Sequence, residues 1–149
     1  MRTLKVDPIV SGTVIDHIPA NRALSVISII KPNDTDVVTV GMNFASKKFG
    51  KKDIVKIEGR ELTSDEVNSI ALVAPTARIS IIRDFEVIKK LMVEIPDTIQ
   101  SLVICPNPNC VTNHEDISTI FDVVSKNPVK LRCKYCERVF DIDDMKMEK

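Results

Sequence analysis

Four cysteines carry the clearest chemistry in the chain: Cys105, Cys110, Cys133 and Cys136, spaced C-x4-C-x22-C-x2-C. Zinc favours four thiolates in a tetrahedron at about 2.3 Å, and short loops within each pair let two turns reach one ion. Cys105-Pro106-Asn107-Pro108-Asn109-Cys110 is such a turn, its two prolines fixing φ and its two asparagines tolerating unusual backbone angles. Cys133-Lys134-Tyr135-Cys136 is the tighter knuckle. A Zn(Cys)4 centre is formally dianionic, and Lys130, Arg132, Lys134 and Arg138 are placed in the sequence to offset that charge. Disulfides suit an exported chain, whereas this N-terminus lacks the apolar stretch of a secretory signal. A rubredoxin-like iron site stays open, although such sites usually use two tight pairs. One structural Zn2+ is the expectation, because four thiolates leave no coordination position for catalysis. His114 and Glu115 fall between the pairs without forming the H-E-x-x-H of a hydrolytic zinc helix.

Elsewhere the sequence excludes more than it offers. The four glycines (Gly12, Gly41, Gly50, Gly59) lie too far apart for a phosphate-cradling loop, which removes P-loop and dinucleotide fingerprints. Aromatics are 4% of the chain, with no Trp and one Tyr, so base-stacking platforms are scarce. Lys plus Arg and Asp plus Glu both total 21, so there is no whole-molecule basic field for nucleic acid. No apolar run is long enough to span a bilayer, which makes a soluble cytoplasmic protein the expectation. Asp16 and His17 are adjacent in a strand pattern, and strict alternation sends them to opposite faces. Lys56 alternates with Val55 and Ile57, and Lys89 and Lys90 also take opposite faces. Taken singly, each reads as a solvated lysine, and the basic stretch Ser46–Lys52 as a solvated loop.

The elements that must position these residues divide near Ile95-Pro96-Asp97, giving domains 1–96 and 97–149. In the first, β-branched Thr13–Ile18 predicts a strand. Pro19 opens a helical pattern of Ala20, Ala23, Leu24, Ile27 and Ile30, stopped by Lys31-Pro32-Asn33-Asp34. Strands follow at Val37–Phe44 and Ile54–Glu58. Thr63-Ser64-Asp65-Glu66 is a capping box for a short helix with Val67, Ile70 and Ala71 inward, ended by Pro75. Arg78–Arg83 and Glu86–Val93 are the last strands, joined by a turn at Arg83-Asp84. The compact solution is α+β, a ferredoxin-like βαββαβ domain with helices on one sheet face, followed by a small zinc-bound antiparallel β domain. Residues 97–149 hold too little core to fold without their metal.

Gly12-Thr13-Val14-Ile15-Asp16-His17-Ile18-Pro19, Lys51-Lys52-Asp53-Ile54-Val55-Lys56-Ile57-Glu58 and Ala71-Leu72-Val73-Ala74-Pro75 occur in one order with the two cysteine motifs. Together they resemble the regulatory chains of aspartate carbamoyltransferase over almost the whole length. The resemblance implies an allosteric chain of pyrimidine biosynthesis with no catalytic residues, whose zinc domain grips the catalytic chain. It implies that the N-terminal domain pairs with a second regulatory chain and binds CTP, with UTP assisting, and ATP, and that no membrane or nucleic acid is involved. It further implies that His17 and Lys90 meet the triphosphate, and Asp16 and Lys56 the ribose and base. Backbone groups of Ile9, Phe85 and Val87 meet the base, while Val6, Asp7 and Val14 line the pocket; Ser80 and Ile82 belong to the same set. Ser80 stands where the family often has Asn, and Phe85 where it often has Tyr. An apolar seam near Val93–Leu102 is expected to carry the signal toward the zinc domain. The other classes weighed are a zinc-ribbon nucleic-acid-binding adaptor and a small hydrolase or phosphotransferase. The latter lacks a nucleophile–base pair, a Gly loop and an open metal site.

Overall fold

The computed structural model of this chain describes residues 10–47 and 50–147. Val6, Asp7 and Ile9 lie outside the described residues, as do Lys48 and Phe49. The chain forms two compact units, Met1–Glu94 and Ile95–Lys149.

In the first unit the elements are β1 (Gly12–Pro19), α1 (Ala23–Ile30), β2 (Val37–Ser46), β3 (Gly50–Glu58), α2 (Ser64–Ile70), β4 (Arg78–Arg83) and β5 (Glu86–Met92). The sheet order is β2-β3-β1-β4-β5, and every neighbouring pair is antiparallel. Insertion of β3 between β1 and β2 is the split crossover of a ferredoxin-like fold, with β5 added as an edge strand. Alternation decides the faces. Ile15, Val55, Ile57, Ile79 and Ile81 are buried, while their neighbours Val14, Lys56 and Ser80 stay half-exposed on the other face. α1 packs against α2, β2 and β3 through Ala23, Val26, Ile29 and Ile30.

The first helix departs from its predicted phase. β1 runs through Pro19 before a turn closed by the Arg22 N–H donating to the Pro19 carbonyl (3.1 Å), with Asn21 left-handed at φ 71°. The helix therefore begins at Ala23, not Pro19, and Leu24, expected inside, is 63% exposed. Arg22 at the N-cap makes no side-chain cap. The cap comes instead from β3, where fully buried Asp53 accepts from the Ala23 N–H through Oδ2 (3.0 Å). The other oxygen of Asp53 accepts from the Asn43 N–H (2.9 Å), at a bulge in β2 where Asn43 is left-handed at φ 62°. The second helix follows its sequence signature, with the Thr63 hydroxyl and the Glu66 carboxylate each accepting from the other's backbone N–H.

In the second unit, β6 (Thr98–Gln100), β8 (Ile120–Lys126), β9 (Val129–Cys133) and β10 (Val139–Asp141) form an antiparallel sheet in the order β10-β9-β8-β6. β7 (Val103–Ile104) pairs with β11 (Lys146–Met147). Phe121, Leu131 and Val103 are its fully buried apolar side chains, a small core beside the cysteines.

Candidate metal centre and sheet-face site

β7 ends at Ile104, so Cys105 leaves directly from a strand, and Cys133 is the last residue of β9. The two turns face one another. Cys105 Sγ lies 3.7 Å from Cys136 Sγ, Cys110 Sγ lies 3.7 Å from Cys133 Sγ, and the four sulfurs are all within 4.8 Å of one another. A tetrahedron with bonds of about 2.3 Å has edges of about 3.8 Å, so the sulfurs stand at the spacing zinc requires. Three of the four cysteines are buried, and they are the one group able to hold a metal among the described residues. The donor set and spacing fit a single structural zinc ion. His114 stays outside the set, its Nε2 lying 2.8 Å from the Pro108 carbonyl, where it braces the first turn.

Protons compete with a metal for these thiols unequally. Burial pushes Cys105 and Cys133 up. At Cys110 and Cys136 burial also acts upward but is outweighed by hydrogen bonds. The Thr112 hydroxyl and amide lower Cys110, and the Arg138 amide and Asn107 side chain bring Cys136 down to about 7. Of the cations expected to offset the centre's charge, Lys134 pairs with Asp122 at 3.3 Å, while Lys130, Arg132 and Arg138 are exposed.

The second site lies on the sheet face away from the helices. Register places Lys56 opposite Val14, Val14 opposite Ser80, and Ser80 opposite Lys90, a row running straight across β3, β1, β4 and β5. In the adjacent row Ile82 pairs with Val87, because a bulge at Ile88 lets both Val87 and Lys90 share this face. A cavity of about 350 Å³ opens beside the first row, lined by Asp16, His17, Arg78, Ile79, Ser80, Lys90, Leu91 and Met92.

Asp16 and His17 are not sent to opposite sides, contrary to the strict alternation expected of them. Between Ile15, paired with Val55, and Ile18, paired with Asp53, both residues oppose Ile54 alone, and His17 takes φ 59°. This bulge turns both toward the cavity. The His17 N–H donates to Asp16 Oδ1 (2.6 Å), and the Thr76 hydroxyl donates to the His17 carbonyl (2.8 Å), pinning the bulge from within and without. Lys52, expected in a solvated loop, is the third residue of β3, and its Nζ lies 2.9 Å from Asp16 Oδ1 and 3.2 Å from Oδ2. With that carboxylate engaged, Arg78 and Lys90 give the cavity a cationic lining suited to an anion, and His17 adds an imidazole beside them.

Of the predicted effector residues, Asp16, His17, Ser80 and Lys90 line the cavity, and Val14, Lys56, Ile82 and Val87 share its face. Phe85 sits apart at the tip of the β4–β5 hairpin, where Asp84 and Phe85 both have positive φ (52° and 65°). Its N–H is committed to the Val10 carbonyl at 2.8 Å. Arg78 and Lys52 escaped the sequence reading. Arg78 would have emerged from pairing it with Asp16, but that register depends on a strand more than sixty residues away.

Two family profiles match the chain. The one described as the allosteric domain of the aspartate carbamoyltransferase regulatory chain covers residues 4–94, and the one described as its metal binding domain covers 97–146. Curated relatives bearing the name aspartate carbamoyltransferase regulatory chain include that of Pyrococcus abyssi, 52% identical over 148 residues, or 97% of each chain. That of Thermococcus onnurineus is 54% identical over 144 residues, or 95% of each chain. That of Methanothermobacter thermautotrophicus is 48% identical over 147 residues, 97% of this chain and 94% of its own.

Proposed function

The chain belongs to the aspartate carbamoyltransferase regulatory-chain family, and from that premise we propose that it is a non-catalytic subunit whose two domains divide binding from docking. Residues 1–96 bind nucleotide effectors on the outer sheet face and pair with a second regulatory chain. Residues 97–149, shaped by zinc, contact the catalytic chain.

The observation that supports the effector reading best is the convergence of Asp16, His17, Ser80 and Lys90 on one cavity whose cations exceed its anions. A triphosphate carries several negative charges, and His17 and Lys90, with Arg78 beside them, supply the donors it needs. Lys56 and Val14 continue the row under the base and ribose. Asp16 accepts from the ribose in this reading while it remains bonded to Lys52. By the family resemblance, Val6, Asp7 and Ile9, the backbone of Phe85 and Val87, and Ser80 and Ile82 belong to the same effector-binding set. For the regulatory dimer, β2 offers a ten-residue edge strand with Val37, Val40 and Met42 exposed.

CTP, UTP and ATP act here by biasing an equilibrium between two quaternary states of the holoenzyme. Each shifts it by its difference in affinity for those states, about 1–3 kcal/mol in typical allosteric coupling. The test is reconstitution with purified catalytic trimers and aspartate saturation curves with and without each nucleotide. Calorimetric titration of Lys56→Ala and Lys90→Ala accompanies it. Both variants should bind CTP and ATP more weakly while keeping one zinc per chain, and unchanged titrations for both would remove the proposed site.

A further inference from the structure

The two cysteine turns differ in length, four intervening residues against two, and the longer has more backbone freedom to lose when a metal closes it. The short knuckle is tied by main-chain bonds: the Glu137 N–H donates to the Cys133 carbonyl (2.9 Å), and the Cys133 N–H to the Arg138 carbonyl (3.0 Å). Around the long turn the structure adds side chains. A single 3-10 turn, Val111–Asn113, follows Cys110 directly and folds back over it. Asn113 Nδ2 donates to the Cys105 carbonyl (2.9 Å) and to the Asn107 carbonyl (2.7 Å), using both hydrogens of its amide. The Cys110 N–H also donates to the Asn107 carbonyl (3.0 Å), while Asn107 Oδ1 accepts from the Asn109 N–H (3.1 Å). The Thr112 hydroxyl donates to Cys110 Sγ at 3.2 Å.

We propose that Asn113 and Thr112 are positioning residues for the metal: Asn113 clamps the Cys105–Cys110 turn at the sulfur spacing of a tetrahedral ion, and Thr112 fixes the direction of the Cys110 sulfur. The clamp works because one side chain holds the backbone at the start and the middle of the turn from a point just beyond its end. Without it, the four-residue turn relaxes and its two sulfurs separate from the pair on the knuckle. The Cys105–Cys110 side is then where zinc release begins, and Asn113 sets its rate.

The full chain loaded with zinc and challenged with excess chelator tests this, release being followed with a metal-indicator dye. Loss of partners around a metal's ligands typically costs about 10- to 100-fold in affinity, so Asn113→Ala and Asn113→Asp should release zinc at least about tenfold faster. Thr112→Val should also accelerate release, and Thr112→Ser, which keeps the hydroxyl, should restore the parent rate. Cobalt substitution separates positioning from general weakening. Asn113→Ala should shift the visible ligand-field bands, whereas Phe121→Leu, a core change in the same unit, should leave them in place. If Asn113→Ala fails to fold, the Thr112→Val and Thr112→Ser pair decides by the same two readouts. Parent-like release, or faster release with a parent-like cobalt spectrum, overturns the assignment.

Discussion

Replacing Asp53 with Asn tests how much of the first unit depends on one buried carboxylate. Asp53 is fully buried and accepts two main-chain N–H donors, from Ala23 at the start of α1 and from Asn43 in the β2 bulge. α1 is eight residues long and has no side-chain cap of its own. Hydrogen bonds to a charged acceptor contribute about 1.5–3 kcal/mol each. A negative charge at a helix start adds about 0.3–1 kcal/mol, and more when partly buried. Asn keeps one acceptor but turns an NH2 toward the other N–H, so Asp53→Asn should cost about 2–4 kcal/mol, and Asp53→Ala more, since both donors then lose their partner. The chain supplies its own pair of reporters. Among the described residues both α-helices lie in the first unit, so helical circular dichroism follows that unit, while the single tyrosine, Tyr135, reports the zinc unit by fluorescence. Thermal unfolding should show the helical transition falling by many degrees with the Tyr135 transition in place, since about 1 kcal/mol moves a domain of this size by roughly 4–8 °C. A loss below about 1 kcal/mol for Asp53→Asn would refute the capping role, because leaving even one of these buried donors unpaired costs more than that.

Two further outcomes follow from the same geometry. Gly12 has φ 145°, and a Cβ built there would sit 2.0 Å from the Ile57 carbonyl oxygen, so Gly12→Ala must push β1 from β3. It should lower the urea midpoint of the helical signal by the equivalent of about 2 kcal/mol or more, and a neutral effect would contradict the close strand approach. Zinc affinity should weaken as pH falls, since binding displaces protons from thiols. Cys105 and Cys133, whose pKa values are raised, carry protons throughout the neutral range, giving at least about two decades of apparent affinity per pH unit. The slope should steepen below about 7 as Cys136 takes up its proton, and a competition titration with a pH-independent result would contradict this.

The metal site was legible because its information is local. Each cysteine pair is a turn of a few residues, and thiolate chemistry admits few alternatives. The Thr63–Glu66 box was legible for the same reason. The cavity on the sheet face is harder to read. Alternation assumes an unbroken pleat, and Asp16 and His17 share a cavity only because β1 bulges opposite Ile54. No residue type at those two positions announces a bulge, whose partners Ile54 and Thr76 lie far along the chain. The phase of α1 departs from its apolar periodicity because its start is set by the distant Asp53 rather than by a neighbouring cap, which leaves Leu24 outside. Lys52 looked like loop because a run of lysines masks the strand that holds it.

Lys56 and Lys90 stand on strands separated by two others, about 14 Å apart across the sheet. Successive strands rotate by roughly 20–25°, so the row from Lys56 to Lys90 spans some 60–75° of accumulated winding. The two lysine side chains therefore leave the sheet in directions turned well away from parallel, so one flat group cannot lie square to both strands that carry them.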